Sequence, residues 1–194
     1  MARRIQISRE IILSTAFQKL VRDGYSSINI TSLAQEIGCS TQPIAWHFGN
    51  MDGLRDALLQ HSLNYMRDHF TLSGDTTTTM LAEIQRKYIN LAFDSPNLYK
   101  YLYMTDQDRA QTEEVIQALR FPNYEKILSL LQQEYGVSRK AAERYLLDLQ
   151  LYVHGIASCA VARIPFSFKE DVMAMIHDAN EAFLEKMMKT VSAD

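Results

Sequence analysis

The chain has 194 residues, of which 47% are hydrophobic, and its formal net charge at pH 7 is −3. This length and apolar content suffice for one sizeable core or for a small domain joined to a larger one. The N-terminus lacks the apolar segment of a signal peptide, and no stretch approaches the roughly 20 apolar residues that cross a bilayer, so we expect a cytoplasmic protein with no membrane partner. The two cysteines, Cys39 and Cys159, are too few for a disulfide framework.

Positive charge is weakly concentrated near the N-terminus. Residues 1–50 hold five Lys or Arg and three acids, whereas the remainder holds 15 and 20. Such a bias is what neutralisation of DNA phosphates requires, although an ordinary solvated surface can produce the same asymmetry. Arg3 and Arg4 precede the first helix, either on an arm that reaches a minor groove or on a disordered terminus.

Residues 29–54 have the pattern of a helix-turn-helix motif with a third helix behind it. The first of these helices is marked by apolar residues at the spacing of one helical face: Ile30, Leu33, Ala34 and Ile37. Asn29 is placed to cap this helix, and Gly38 ends it. We expect Ser40 to be the N-cap of the next helix, which would make Pro43 its third residue.

The second helix of the motif has one apolar face and one polar face. Ile44 and Phe48 point inward, four residues apart. The N-terminal residues of such a helix contact base edges in the major groove, and Gln42 is our candidate for base readout because an amide pairs bidentately with adenine. The predicted DNA-binding residues are Thr31, Ser40, Thr41, Gln42, Ala45, Trp46, His47 and Asn50.

As a set, these residues resemble the TetR family of bacterial transcriptional regulators. The resemblance runs through the first fifty-odd residues and rests on these matches: Ile12, Ala16, Phe17 and Leu20 in the first helix, Gly24-Tyr25, Gly38-Cys39-Ser40, Trp46-His47-Phe48 and Asn50-Met51-Asp52-Gly53-Leu54. Two positions differ, because the family commonly has a phosphate-contacting Tyr where this chain has Ala45 and a Lys where it has Met51. The resemblance implies a helix-turn-helix DNA-binding domain at residues 1–50 and a ligand-binding and dimerisation domain at residues 51–194.

The chain beyond residue 50 predicts further helices and no strands, so we assign an all-α fold. A connector helix from about residue 51 to residue 70 carries two apolar stripes and links two cores. Residues 73–79 read as a loop. Further helices are expected at about 80–93, 96–103, 108–135 with a break at Phe121-Pro122, 138–163, and after a capping box formed by Ser167 and Glu170.

The last two helices are the predicted dimer interface. Residues 155–162 are almost all small, and a mid-helix glycine costs about 1 kcal/mol relative to alanine unless close packing requires it. The resemblance implies that these helices pair with their copies in a four-helix bundle, while an intramolecular helix contact remains the alternative. The predicted interface residues are Tyr152, Gly155, Ile156, Cys159, Val172, Ile176 and Phe183.

Aromatic residues are frequent on the helices that surround a ligand cavity in this family. Aromatic rings with polar tips suit a small apolar or aromatic effector, although many such residues serve only as core. The candidate ligand-binding residues are Tyr88, Phe93, Tyr99, Tyr103, Met104, Phe121, Tyr124 and Tyr152.

No enzymatic signature is present. The sequence lacks a nucleophile elbow, a phosphate-binding glycine loop and a zinc motif, and His154 has no carboxylate at a useful offset. We therefore expect a non-enzymatic protein with no cofactor and no metal. The sequence predicts a ligand-responsive regulator, most simply a repressor, that binds a palindromic operator in double-stranded DNA as a homodimer. The alternative is a TetR-like protein-interaction module with weak or no operator binding.

Overall fold

The computed structural model of the protein describes residues 7–70, 72–104, 123–164 and 169–189. Over these ranges the regular structure is helical, with a short 3₁₀ turn at Tyr25–Ser27 and no strand, which confirms the all-α class. The α-helices are α1 (Arg9–Asp23), α2 (Ile30–Ile37), α3 (Gln42–Phe48), α4 (Met51–His69), α5 (Thr77–Asp94), α6 (Pro96–Tyr103), α7 (Tyr124–Tyr135), α8 (Arg139–Val161) and α9 (Lys169–Lys189).

The helices fall into two compact units. Among the described residues, unit 1 contains 7–69 and 95–104, and unit 2 contains 70, 72–94, 123–164 and 169–189. Residues 51–69 and 95–104 lie in the same compact unit as the helix-turn-helix motif.

Unit 1 is built around α1, which packs against α2, α3, α4 and α6. Its centre consists of fully buried apolar side chains from four helices: Ile12, Ala16, Leu20, Leu33, Ile44, Leu54 and Leu58. At the C-terminal end of α1, Asn97 of α6 donates from Nδ2 to the carbonyl oxygens of Val21 and Arg22, at 3.1 Å each. These bonds satisfy two carbonyl groups that the last turn of a helix leaves without intrahelical partners.

Unit 2 is built around α8, which packs against α5, α7 and α9. The α8–α9 pair is joined by polar contacts as well as apolar ones: the Tyr145 hydroxyl donates to Oδ1 of Asn180, and Nζ of Lys186 lies 3.1 Å from Oδ2 of Asp148. Burial raises the pKa of Tyr145, so its hydroxyl stays protonated and can donate this bond at neutral pH.

The threonine run before α5 does not form the predicted loop throughout. The helix begins at Thr77, three residues before the predicted start, because Thr76 and Thr79 cap it reciprocally: each backbone N–H lies within 3.3 Å of the other residue's hydroxyl oxygen. Elsewhere α4, α6, α7 and α8 end within two residues of their predicted ends, and Gly136 caps α7 in the left-handed conformation. The predicted helix start near residue 108, the break at residues 121–122 and the Ser167 capping box lie outside the described residues.

Candidate nucleic-acid interface

The turn between α2 and α3 is formed by local hydrogen bonds that the sequence specifies. Oδ1 of Asn29 accepts a bond from the Ser32 backbone N–H at 2.8 Å, and the Ser32 hydroxyl accepts one from the Asn29 N–H at 3.4 Å. Gly38 follows α2 in the left-handed conformation with φ 76°. The predicted Asn29 cap and the Gly38 stop are both confirmed, because capping depends on the chemistry of residues only three apart.

The predicted N-cap of α3 is wrong by one residue. The cap is Thr41, in helical conformation and with no side-chain capping bond, so Pro43 is the second helical residue rather than the third, and Ser40 lies in the turn. The first four N–H groups of any helix lack intrahelical acceptors. A proline anywhere in this turn therefore sacrifices no hydrogen bond, and its presence does not fix the register.

Three contacts fix the orientation of α3. Ile44 is fully buried, and the guanidinium of Arg9 lies over the Phe48 ring at 5.1 Å from the centroid. Nε2 of His47 lies 3.0 Å from the Ile7 carbonyl oxygen, so this half-buried ring joins α3 to the start of α1. The sequence did not reveal these last two contacts, since their partners are about 40 residues apart in the chain.

The junction between α3 and α4 depends on two particular residues, a glycine and an asparagine. A Cβ atom on Gly53 would lie 2.1 Å from the Phe48 carbonyl oxygen, so only glycine allows the two helices to meet at this distance. Asn50, predicted to bind DNA, accepts hydrogen bonds at Oδ1 from the backbone N–H groups of Asp52 and Gly53, both at 3.0 Å. It therefore caps α4, whatever else it contacts.

The outward face of α3 presents a large aromatic side chain. Trp46 is 75% exposed, and its ring packs edge-on against the His47 ring with centroids 4.5 Å apart. The His47 ring is itself held by its contact with the Ile7 carbonyl oxygen, so the exposed indole packs against a fixed side chain. The other predicted DNA-binding residues that are exposed are Thr31, Ser40, Thr41, Gln42, Ala45 and Asn50. Of these, Gln42 and Ala45 lie on α3 with Trp46.

Two of the basic side chains near the N-terminus are engaged in ion pairs within unit 1. Nη2 of Arg22 lies 2.7 Å from Oδ2 of Asp23 and 2.9 Å from Oε1 of Glu36, and Nζ of Lys19 lies 3.2 Å and 3.3 Å from the same two carboxylates. These four residues form a clamp between α1 and α2. Their charges cancel locally, so Lys19 and Arg22 add little to the positive charge that the sequence suggested for DNA contact.

The α1–α2 clamp makes a prediction about pH. Hydrogen bonds from Arg22, and then from Lys19, lower the pKa of Asp23 from 3.8 to about 2. A group whose folded pKa lies below its unfolded value stabilises the fold above the unfolded value and loses that contribution as pH falls to the folded one. We expect Asp23→Asn to lower the melting temperature by a constant amount above about pH 4, with the difference disappearing towards pH 2.

Carboxyl-detected NMR measures the Asp23 pKa directly, and melting curves across the acid range measure its effect. Asp56→Asn is the matched control, since Asp56 is an exposed carboxylate on α4. This variant should change neither the pKa of Asp23 nor the pH dependence of the melting temperature. A titration midpoint for Asp23 near 3.8 would contradict the clamp.

The candidate ligand-binding residues are divided between the two units. In unit 1, Tyr99 is fully buried, its ring centroid lies 5.1 Å from that of Tyr103, and Met104 is exposed. In unit 2, Tyr88 is buried, Tyr124 and Tyr152 are half-buried, and Phe93 is at the border of exposure. Phe121 lies outside the described residues. The two sets are not brought together within either unit.

Unit 2 contains a partly buried polar pair that the sequence only partly indicated. The Tyr88 hydroxyl lies 2.7 Å from Nδ1 of His154, and partial burial lowers the pKa of His154, which favours the neutral imidazole. One turn earlier on α5, Gln85 is buried, and its Nε2 atom has no hydrogen-bond partner. The burial of Gln85 could have been predicted from helical spacing, since the residue falls on the apolar face of α5 between Leu81 and Tyr88.

The predicted interface residues on α8 and α9 divide into buried and exposed ones. Val172 and Ile176 are fully buried within the chain, so they support the predicted dimer interface from inside and do not form its surface. The Tyr152 and Phe183 rings pack edge-on with centroids 6.1 Å apart. Gly155 is exposed, and no heavy atom lies within 4 Å of where its Cβ would be, so close packing inside the described chain does not explain this glycine.

The sequence interpretation missed two exposed leucines on α8. Leu147 is 47% exposed and Leu151 is 62% exposed, and together with Gly155 they follow one another at intervals of four residues. Such spacing places them on one face of the helix. The signal was present in the sequence but was masked by the stronger apolar stripe on the opposite face, which contains Tyr145, Leu149 and Ile156.

Two negative findings concern the described residues alone. No helix in that part of the chain is long and apolar enough to cross a membrane. Across the same ranges, no group of three or more His, Cys, Asp or Glu side chains is arranged to hold a metal ion.

Comparison with solved structures defines the class of fold. The chain matches a protein of unknown function from Rhodococcus sp. RHA1 with a TM-score of 0.74 and 20% identity, over 96% of this chain and 98% of that one. It matches a variant of TetR from Acinetobacter baumannii AYE, in complex with minocycline, with a TM-score of 0.63 and 17% identity, over 95% and 98%. A protein from Rhodococcus sp. assigned to the TetR-family transcriptional regulators matches with a TM-score of 0.64 and 16% identity, over 91% and 98%.

No protein-family model and no curated protein sequence matches the chain. These three structures share 16–20% of their residues with this chain, and the matches cover 91–96% of its length. The protein therefore has the fold of the TetR-family regulators.

Proposed function

We propose that this protein is a DNA-binding transcriptional regulator of the TetR family, with α3 as its recognition helix. The observation that carries the proposal is the exposed face of α3: Trp46 is 75% exposed and supported from behind by His47, beside the exposed Gln42 and Ala45. A large apolar side chain is costly to leave in water, and an exposed aromatic on a rigid support is typical of a recognition surface. The surrounding helix-turn-helix motif supports DNA as the partner.

The proposed DNA-binding form is a homodimer. Leu147, Leu151 and Gly155 give α8 an exposed apolar face that is flat at Gly155, which suits close packing against a second copy. A two-fold dimer presents two recognition helices, and an operator with two half-sites in inverted orientation matches that symmetry. B-DNA sets their separation at about 34–36 Å or a multiple of it.

The proposed signal is a small apolar or aromatic molecule bound in the C-terminal part of the chain. The TetR variant of similar fold was solved in complex with minocycline, which supports a small-molecule effector here. An effector that binds better to a dimer with the wrong spacing of recognition helices lowers operator affinity by linkage. Under this proposal the protein is a repressor that its effector releases from DNA.

A second candidate function is docking on another protein instead of on DNA. Ala45 and Met51 replace two residues that in this family contact the DNA backbone, and the ion pairs of Lys19 and Arg22 remove two further cations. These observations favour weak DNA binding. Under this alternative, the exposed Trp46 would contact a protein partner.

Selection of bound fragments from the genome of the source organism decides between the two functions. We expect enrichment of a short inverted repeat, with affinity that falls as salt rises because phosphates are neutralised. The slope against salt should be modest, since few cations of the described part of unit 1 are unpaired. Absence of any palindromic enrichment at low salt, together with a second protein that co-purifies, would overturn the regulator in favour of the docking module.

A further inference from the structure

The side chain of Gln85 is a buried hydrogen-bond donor without an acceptor. The residue is 4% exposed, and its Nε2 atom has no hydrogen-bond partner. It lies in the middle of α5, on the face that packs against the rest of unit 2. Buried polar groups in proteins are almost always hydrogen-bonded, so an unpaired amide in a core requires an explanation.

The surroundings of Gln85 combine apolar side chains with one polar pair. Residues three apart on a helix share a face, so Gln85 lies beside Tyr88, whose hydroxyl is 2.7 Å from Nδ1 of His154 on α8. In the described part of unit 2, no Lys, Arg, Asp or Glu is buried. Buried apolar residues flank Gln85 along α5 and precede His154 along α8, which packs against α5: Leu81, Ile84, Leu149 and Val153.

We infer that Gln85 donates a hydrogen bond to an uncharged carbonyl oxygen of the effector. This inference rests on the proposed function as a ligand-responsive regulator and specifies the chemistry of its ligand. The amide N–H needs an acceptor, and the apolar side chains around it suit a small aromatic body. An anionic acceptor is disfavoured, since no buried cation of the described residues would neutralise it.

The unpaired amide also explains why the ligand would be selected for its carbonyl group. In the described chain the Nε2 atom is shielded from solvent and has no protein acceptor, so an effector with an acceptor removes an existing penalty. A ligand of the same shape without the oxygen leaves the penalty in place. A site of this kind therefore discriminates strongly between two molecules that differ by one polar atom.

The test uses three probes on the intact protein: acetophenone, which has the carbonyl, cumene, which replaces it with an apolar branch, and benzoate, which is charged. Calorimetric titration of the wild type should show acetophenone binding at least about tenfold more tightly than cumene, with benzoate weaker than acetophenone. In Gln85→Met the preference for acetophenone over cumene should fall to about twofold or less. Gln132→Met, which changes a half-buried glutamine on α7, is the matched control and should keep the wild-type preference.

Melting of the ligand-free variants provides a second readout. Gln85→Met should melt at a higher temperature than the wild type, because it removes a buried N–H donor that has no acceptor and leaves an apolar chain of similar length. A lower melting temperature would mean that the amide is paired, and would overturn the inference. So would an unchanged preference for acetophenone in Gln85→Met, or no binding of acetophenone to the wild type.

The same preparations separate this inference from the proposed function. Protein that enriches an inverted repeat from genomic DNA but shows no preference for acetophenone overturns the ligand chemistry alone. Protein that prefers acetophenone through Gln85 but enriches no DNA overturns the regulator alone.

Discussion

Gly155→Leu is expected to turn a dimer into a folded monomer. The Cβ position of Gly155 has no heavy atom of the described chain within 4 Å, so the isolated chain has room for the larger side chain. Leucine also favours a helix interior over glycine by roughly 0.5–1 kcal/mol, so the melting temperature of the monomer should not fall through local strain. At a close crossing with a second copy the same side chain would overfill the interface, which typically costs 1–3 kcal/mol at each of two symmetric sites.

Light scattering coupled to size-exclusion chromatography measures the mass of each variant. Gly155→Ala should weaken the dimer less than Gly155→Leu does, because its added volume is smaller. Lys126→Leu is the matched control, since it adds an exposed leucine to α7, away from the α8 face, and should remain dimeric. A Gly155→Leu protein that keeps the dimeric mass would move the interface elsewhere, and one that unfolds would show that Gly155 packs within the chain.

Trp46→Ala is expected to abolish most of the operator affinity while the fold is unchanged. A large aromatic at the centre of an interface commonly contributes about 2 kcal/mol or more, which corresponds to a roughly 30-fold weaker complex. The side chain is 75% exposed, and exposed positions away from special backbone features change stability by about 0.5 kcal/mol at most. Fluorescence anisotropy with the enriched inverted repeat measures the affinity, and circular dichroism measures the fold.

Two further variants make the Trp46 result specific. Ile11→Ala removes an exposed apolar side chain from α1 of the same unit and should leave the affinity unchanged. Gln42→Ala should relax sequence preference at one position in each half-site, because an amide reads a base edge, whereas Trp46→Ala should weaken all sequences to a similar degree. If Trp46→Ala melts unit 1, the indole is structural and α3 does not present it to DNA.

The order of the helices could be predicted from the sequence because their signals are local. The cap at Asn29, the stop at Gly38 and the start of α6 at Pro96 depend on residues within three or four positions of one another. Such interactions form in the same way whatever surrounds them. The same local reasoning placed the α3 cap at Ser40 instead of Thr41, since proline is tolerated throughout a first helical turn and leaves the register open.

The candidate site could be predicted only in part. The exposed face of α3 followed from its inward residues, because opposite faces of one helix are linked by geometry. The contacts of His47 with Ile7 and of Arg22 with Glu36 join residues 40 and 14 positions apart, and no local pattern encodes them. These contacts exist only because tertiary packing brings α1, α2 and α3 together.

The sequence by itself determined the all-α class, the helix-turn-helix motif and an outward-facing Trp46. Tertiary structure alone decided that Lys19 and Arg22 are paired with Asp23 and Glu36 rather than available to DNA. It also decided that the Gln85 Nε2 atom has no hydrogen-bond partner in the core, and that Leu147 and Leu151 remain 47% and 62% exposed. Periodicity reports how many faces of a helix are apolar, whereas which face meets another helix depends on distant parts of the chain.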